Sequence, residues 1–179
     1  LMCSHLTDDY LNDKDSSFYW FHFKIKFHDL TKINVIGFLG GSFKTLDLNL
    51  TSLVNLNEFW ISNANFARFN SNPFGSDQRR LFRIVLEENK IKSSQLFNNS
   101  SYGLDSLSLL NLARNEIELI EGGSFSGFKN LKLLSLSYNK LTSLHVGSFK
   151  CLTKLKWLNL DGNQIDYLSL IHISQGIVR

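Results

Sequence analysis

The feature that most constrains this chain is an internal period of about 24 residues: Leu107 to Asn130, Leu131 to Lys154 and the segment from Leu155 align without a gap. The first position of the unit holds Leu107, Leu131 and Leu155, and the fourth holds Leu110, Leu134 and Leu158. The sixth holds Leu112, Leu136 and Leu160, and the ninth Asn115, Asn139 and Asn163. Upstream, Leu81, Ile84, Leu86, Asn89 and Ile91 fill the same slots of a slightly longer, 26-residue unit that ends where the next begins. Leu56, Phe59, Ile61 and Phe66 do so again, with Ala64 in the asparagine slot. A phenylalanine returns at slot nineteen as Phe74, Phe125 and Phe149. Such a period means stacked coils, because one short unit cannot enclose its own leucines.

Two periodicities coexist within each unit. Slots four and six alternate as in a short strand with one buried face, and the later apolar slots are spaced as in a turn or loose helical return. Stacking then pairs the strands into a continuous parallel sheet, about 4.8 Å per step. An asparagine amide both donates and accepts, so Asn89, Asn115, Asn139 and Asn163 are expected to form a ladder that satisfies backbone groups of the adjacent coil.

The pattern LxxLxLxxNxLxxL followed by Phe resembles the 24-residue "typical" leucine-rich repeat of Toll-like receptor ectodomains and secreted adhesion proteins. The resemblance covers residues 56–168. It implies an α/β-type leucine-rich-repeat solenoid, with a parallel β-sheet on the concave face and loops and short helical turns on the convex face. It also implies an extracellular home and a role in binding rather than catalysis. The concave face is the usual binding surface of the family, and slots three and five supply it with Trp60, Arg83, Val85, Leu109, Asn111, Leu133, Trp157 and Asn159. Tyr138 joins them from the rim, beside Glu87, Glu88, Arg114 and Asp161. Trp60, Val85, Leu109, Leu133 and Trp157 come from five successive strands. Large apolar groups on a solvated face are a sign of a partner.

The expected partner is a protein or glycan ligand in a receptor-like or adhesion role. The alternatives are an intracellular scaffold and a subunit supporting a secreted enzyme. The irregular aromatic N-terminal part is similar to that of the secreted leucine-rich, non-catalytic subunit of a luciferase.

Composition narrows the classes further. Across 179 residues the formal charge is only +3, with 19 Lys and Arg scattered among 16 acidic residues, so nucleic acid is not expected as a partner. No apolar run reaches the roughly 18 residues of a membrane span. No His-Glu-x-x-His, Gly-x-Ser-x-Gly or phosphate-loop motif is present, and Gly37 to Gly41 lacks the Lys-Ser/Thr of a P-loop. Glu87 and Glu88 form a close carboxylate pair, but neighbours on a strand end point apart. His22 and His28 share a face with Lys24 and Lys26, which would repel a cation. The expectation is therefore no enzyme, no metal and no cofactor.

Residues 1–20 read as a polar, poorly ordered or capping segment, and 21–55 as an irregular strand, Phe21 to Phe27, followed by a degenerate repeat. Two registers compete there. One puts Leu30, Ile33 and Val35 in slots one, four and six of a 26-residue unit, and is preferred; the other aligns Phe43 with the later Phe slot. Residues 169–179 read as an irregular tail, and the lack of a recognisable cap at either end leads to the expectation of a piece of a longer solenoid. Three sequons, at Asn49, Asn98 and Asn99, favour glycosylation and an extracellular setting. Cys3 and Cys151 should lie at least four strand steps apart, about 19 Å, too far for a disulfide. Cys151, between Phe149 and Leu152, reads as a buried free thiol on the convex side.

Overall fold

The computed structural model describes residues 2–4, 33–46, 49–69, 72–75, 78–94, 96, 104–145 and 147–166. Its main element is a parallel sheet of seven strands among these residues. In chain order the strands are β1 (Met2–Ser4), β2 (Val35–Leu39), β3 (Thr45–Leu46), β4 (Glu58–Ser62), β5 (Arg68–Phe69), β6 (Arg83–Val85), β7 (Leu109–Asn111), β8 (Leu133–Ser135) and β9 (Trp157–Asn159). The seven lie in the order β1-β2-β4-β6-β7-β8-β9, while β3 and β5 pair separately. Phe59 pairs with Ile84, Ile84 with Leu110, Leu110 with Leu134 and Leu134 with Leu158, so slot four runs across the sheet as one row. The Phe21 to Phe27 strand lies outside the described residues, as do residues 169–179.

The register before residue 56 differs from both sequence alternatives. Ile36 pairs with Phe59 and Phe38 with Ile61, which puts Ile36 and Phe38 in slots four and six and Ile33 in slot one. Phe43 then falls in slot eleven, opposite Phe66. The first described coil thus runs from Ile33 to Asn55, shorter than the 26-residue unit expected, and its asparagine slot holds Gly41.

Slots one, four, six and eleven are almost fully buried in the four coils from Leu56 to Leu141. The core changes character along its length. Toward β2 it is built of phenylalanine: Phe59 packs edge-on against Phe74 with centroids 5.4 Å apart, and Phe66 lies 4.8 Å from Phe69. Farther on it is leucine, with Phe125 and Phe149 stacked 5.9 Å apart across adjacent coils.

No helix occurs among the described residues, which corrects the expectation of short helical turns on the convex side. The returns are instead chains of single turns. Ser124 N–H donates to Glu121 O, Ser126 to Gly123 O, Phe128 to Phe125 O and Leu131 to Phe128 O, and the set repeats from Ser148 to Leu155. A helix needs such bonds on successive residues. Here they skip one or two, and Gly123 and Gly147 interrupt any right-handed run at φ 81° and 87°.

The asparagines have consistent partners. Asn139 Oδ1 accepts from Ile117 N–H of the preceding coil at 3.0 Å, and its Nδ2 donates to Leu112 O of that coil and Leu136 O of its own. Asn115 and Asn163 repeat the arrangement. Asn89 Oδ1 accepts from both Ala64 and Phe66 N–H, and its Nδ2 donates to Ile61 O. Each amide reaches backward. Where Ala64 replaces asparagine, its backbone carbonyl accepts from Phe43 N–H instead, at 3.0 Å.

Candidate functional site

Pairing sorts the nominated surface residues into rows. One row holds slot three: Val35, Glu58, Arg83, Leu109, Leu133 and Trp157. A second holds slot five: Gly37, Trp60, Val85, Asn111, Ser135 and Asn159. The five apolar residues therefore do not form one stripe. Leu109, Leu133 and Trp157 are direct neighbours in the first row, whereas Trp60 and Val85 lie in the second.

The two tryptophans differ in their surroundings. Trp157 is 48% exposed and its neighbour Leu133 38%, on the solvent face of paired strands. Trp60 instead covers Gly37, the small residue beside it on β2, and is only half-buried as a result. Arg83 pairs with Glu58 at 3.6 Å, so these two neighbours in the first row neutralise each other.

Beside the sheet lies a charged rim. Slot eight has positive φ in all six described coils: Gly40, Asn63, Glu88, Arg114, Tyr138 and Gly162 lie between 53° and 73°. This conformation lets Glu88 N–H reach Ala113 O, Arg114 N–H reach Ser137 O and Tyr138 N–H reach Asp161 O, each on the next coil. It also turns Glu87 and Glu88 toward one another, against the alternation expected of a strand end. Both carboxylates lie 3.8 Å from Arg114 Nε. The Arg114 guanidinium sits 4.7 Å from the centre of the Tyr138 ring, and that ring covers Gly162. Asn111 Nδ2 donates to Glu87 at 2.9 Å, tying the rim to the second row. The nominated Tyr138, Asn111 and Arg83 are thus already engaged within the protein.

A second charged row occupies slot ten. Glu116 contacts Lys90 at 3.2 Å, Lys140 at 3.5 Å and Lys92 at 4.0 Å. The hydrogen-bonded Lys90 ammonium, with Lys140 alongside, holds the Glu116 carboxyl below its ordinary pKa despite partial burial.

Of the sequons, Asn98 and Asn99 lie outside the described residues. Asn49 is exposed, and its Oδ1 accepts from the Thr51 hydroxyl at 2.6 Å and Thr51 N–H at 3.1 Å. Cys151 is a free thiol but exposed, contrary to the buried reading, because its slot faces outward between buried Phe149 and Leu152. Among the described residues, no cluster of three or more His, Cys, Asp or Glu is arranged to hold a metal, and no helix is long and apolar enough to cross a membrane.

Coils of this length, a parallel sheet in register and inward asparagines define a leucine-rich-repeat solenoid. Residues 105–165 match the family model described as leucine rich repeat. Among solved structures, the chain is similar to a leucine-rich-repeat protein of Leptospira interrogans, with 21% identity and a TM-score of 0.57, over 81% of this chain and 47% of that one. It is also similar to TLR13 in the TLR13-ssRNA13 complex, with 24% identity and a TM-score of 0.51, over 74% of this chain and 25% of that one. The chain spans less than half the length of either. No curated protein matches it.

The complex also removes the exclusion of nucleic acid. TLR13, which shares this fold, is seen with an RNA. The physical reason lies in the repeat: charges scattered along a sequence fall into rows once coils stack, so scatter in sequence says little about clustering in space.

Proposed function

We propose that the chain is a non-catalytic binding module of an extracellular protein, holding a protein or glycan on the open face of its sheet in a receptor-like or adhesion role. The observation that carries this is the row Leu109, Leu133 and Trp157, whose last two members are exposed on the solvent face of strands paired in register. Exposed aromatic and aliphatic side chains held by a fixed backbone lose little entropy on binding, which makes them suited to anchor a partner. The exposed Asn49 sequon supports the extracellular setting.

The test uses the secreted chain against arrays of glycans and of cell-surface and matrix proteins, with Leu133→Glu/Trp157→Ser as the face variant and Leu119→Glu as a control. Leu119 is also exposed but lies outside the strands. Loss of a bound partner in the face variant alone supports the reading, and equal binding by all three chains contradicts it. A mass decrease on enzymatic removal of N-glycans, absent in Asn49→Gln/Asn98→Gln/Asn99→Gln, tests the compartment.

A further inference from the structure

The ends of the sheet strands carry charge unequally. At the N-terminal ends of β6 to β9, stacking gathers Arg79, Arg80, Lys129, Lys132, Lys154 and Lys156, all exposed, around one acid, Asp105. Spatial adjacency follows from hydrogen bonds between neighbouring coils. Ser108 N–H donates to Phe82 O, Lys132 N–H to Ser108 O and Lys156 N–H to Lys132 O, so Phe82, Ser108, Lys132 and Lys156 form one continuous row. Below it, Ser106 Oγ donates to Arg79 O, Asn130 Nδ2 to Asp105 O and Lys154 Nζ to Asn130 Oδ1. None of the six cations forms an ion pair among the described residues; the pairs all involve Glu58, Glu87, Glu88 or Glu116.

Six uncompensated cations on one edge attract a polyanion. Two exposed aromatics sit at the ends of the same edge: Phe82, 42% exposed, beside Arg80, and Trp157 beside Lys156. Cations that follow a backbone, together with aromatic faces on which bases stack, are the combination that holds an unpaired strand, whereas a duplex hides its base faces. From β6 to β9 the edge spans three strand steps, about 14 Å, the length of about four stacked nucleotides.

From this we infer that the basic edge formed by β6 to β9 binds single-stranded nucleic acid through its phosphates, with Phe82 and Trp157 as stacking platforms. The edge shares Trp157 with the open-face row but not Leu109 or Leu133, and the variants below leave Trp157 in place, so either reading can fail alone.

The experiment measures fluorescence anisotropy of labelled 12-nucleotide single-stranded RNA and DNA with the 179-residue chain over a salt series, beside a duplex of equal length and heparin. The expected result is salt-dependent binding that prefers single strands. Lys132→Gln/Lys156→Gln should weaken it and make the salt slope shallower by about 1.4, at about 0.7 for each phosphate no longer neutralised. Phe82→Ser should weaken single-strand binding about tenfold and leave heparin binding unchanged. Far-UV circular dichroism verifies that these exposed substitutions leave the fold intact. Absence of binding at low salt overturns the inference. So does heparin binding as tight as the single strands with indifference to Phe82→Ser, which would make the edge a sulfated-glycan site.

Discussion

The indole of Trp60 lies against the Cα of Gly37 on the neighbouring strand, so closely that a methyl group added there would overlap the ring at Cε2. The pair explains why β2 carries glycine in the middle of a strand, where it is otherwise unfavourable. Gly37→Ala should lift the indole into solvent and cost about 1–3 kcal/mol through overpacking. A red shift in tryptophan emission together with a lower urea midpoint is the expected readout, and the shift should be absent when Trp60 is first replaced by Leu.

The inward asparagines predict a graded series. Asn139→Ala removes four buried hydrogen bonds at once and strands groups on two coils, so its cost should be about 3 kcal/mol. Asn163 makes equivalent bonds from a half-buried site, where water can replace them, and Asn163→Ala should cost less than half as much. Denaturant unfolding of the two variants compares them directly.

Gln78 stands where other coils place Leu53, Leu104, Phe128 and Leu152, and it is fully buried. Its Nε2 donates to Leu50 O at 2.6 Å, but its Oε1 has no partner among the described residues. Because Leu50 O also accepts from Leu53 N–H, Gln78→Leu leaves that carbonyl satisfied and removes the orphaned oxygen. The substitution should raise stability by about 1 kcal/mol, seen as a higher thermal midpoint.

Slot eight separates glycine from other residues. Gly162→Ala puts a side chain at φ 68° and within 2.6 Å of the Tyr138 ring, and should destabilise by about 1–2 kcal/mol. Glu88→Gly relieves a left-handed conformation at φ 57°, at the loss of one exposed ion pair, so stability should stay level or rise. Urea unfolding curves of the two variants should therefore move in different directions or by clearly different amounts.

The Glu116 carboxyl has a folded pKa below its unfolded one. Its contribution is therefore fully present above the unfolded value and is lost as pH falls through the folded value. Between about pH 5 and pH 2 the wild-type chain should lose more stability than Glu116→Gln, and Lys90→Ala/Lys140→Ala should behave like Glu116→Gln. Urea midpoints across that range measure the difference.

The sheet from β4 to β9 was legible because Leu56 to Leu160 repeat the slots with small changes in spacing, and a buried slot tolerates little but an apolar side chain. The coil at Ile33 was not, since Gly41 and Ala64 replace the asparagine that marks the register and the unit is shorter than those that follow. Helical returns were expected from apolar spacing alone; that spacing also suits chained turns, and Gly123 and Gly147 decide between them through φ. The candidate surface was legible as slots three and five. How its residues divide into rows, and how Arg79, Lys132 and Lys156 come together, depends on coil lengths that set neighbours across the sheet.

The central claim is that these coils stack in one register, which makes surface rows of residues far apart in sequence. Disulfide trapping in a Cys3→Ser/Cys151→Ser background tests it without any ligand. Leu109→Cys/Leu133→Cys joins row neighbours about 4.8 Å apart and should oxidise to a disulfide, whereas Leu109→Cys/Trp157→Cys spans two steps, about 9.6 Å, and should stay reduced. Bond formation in the second pair but not the first would contradict the account.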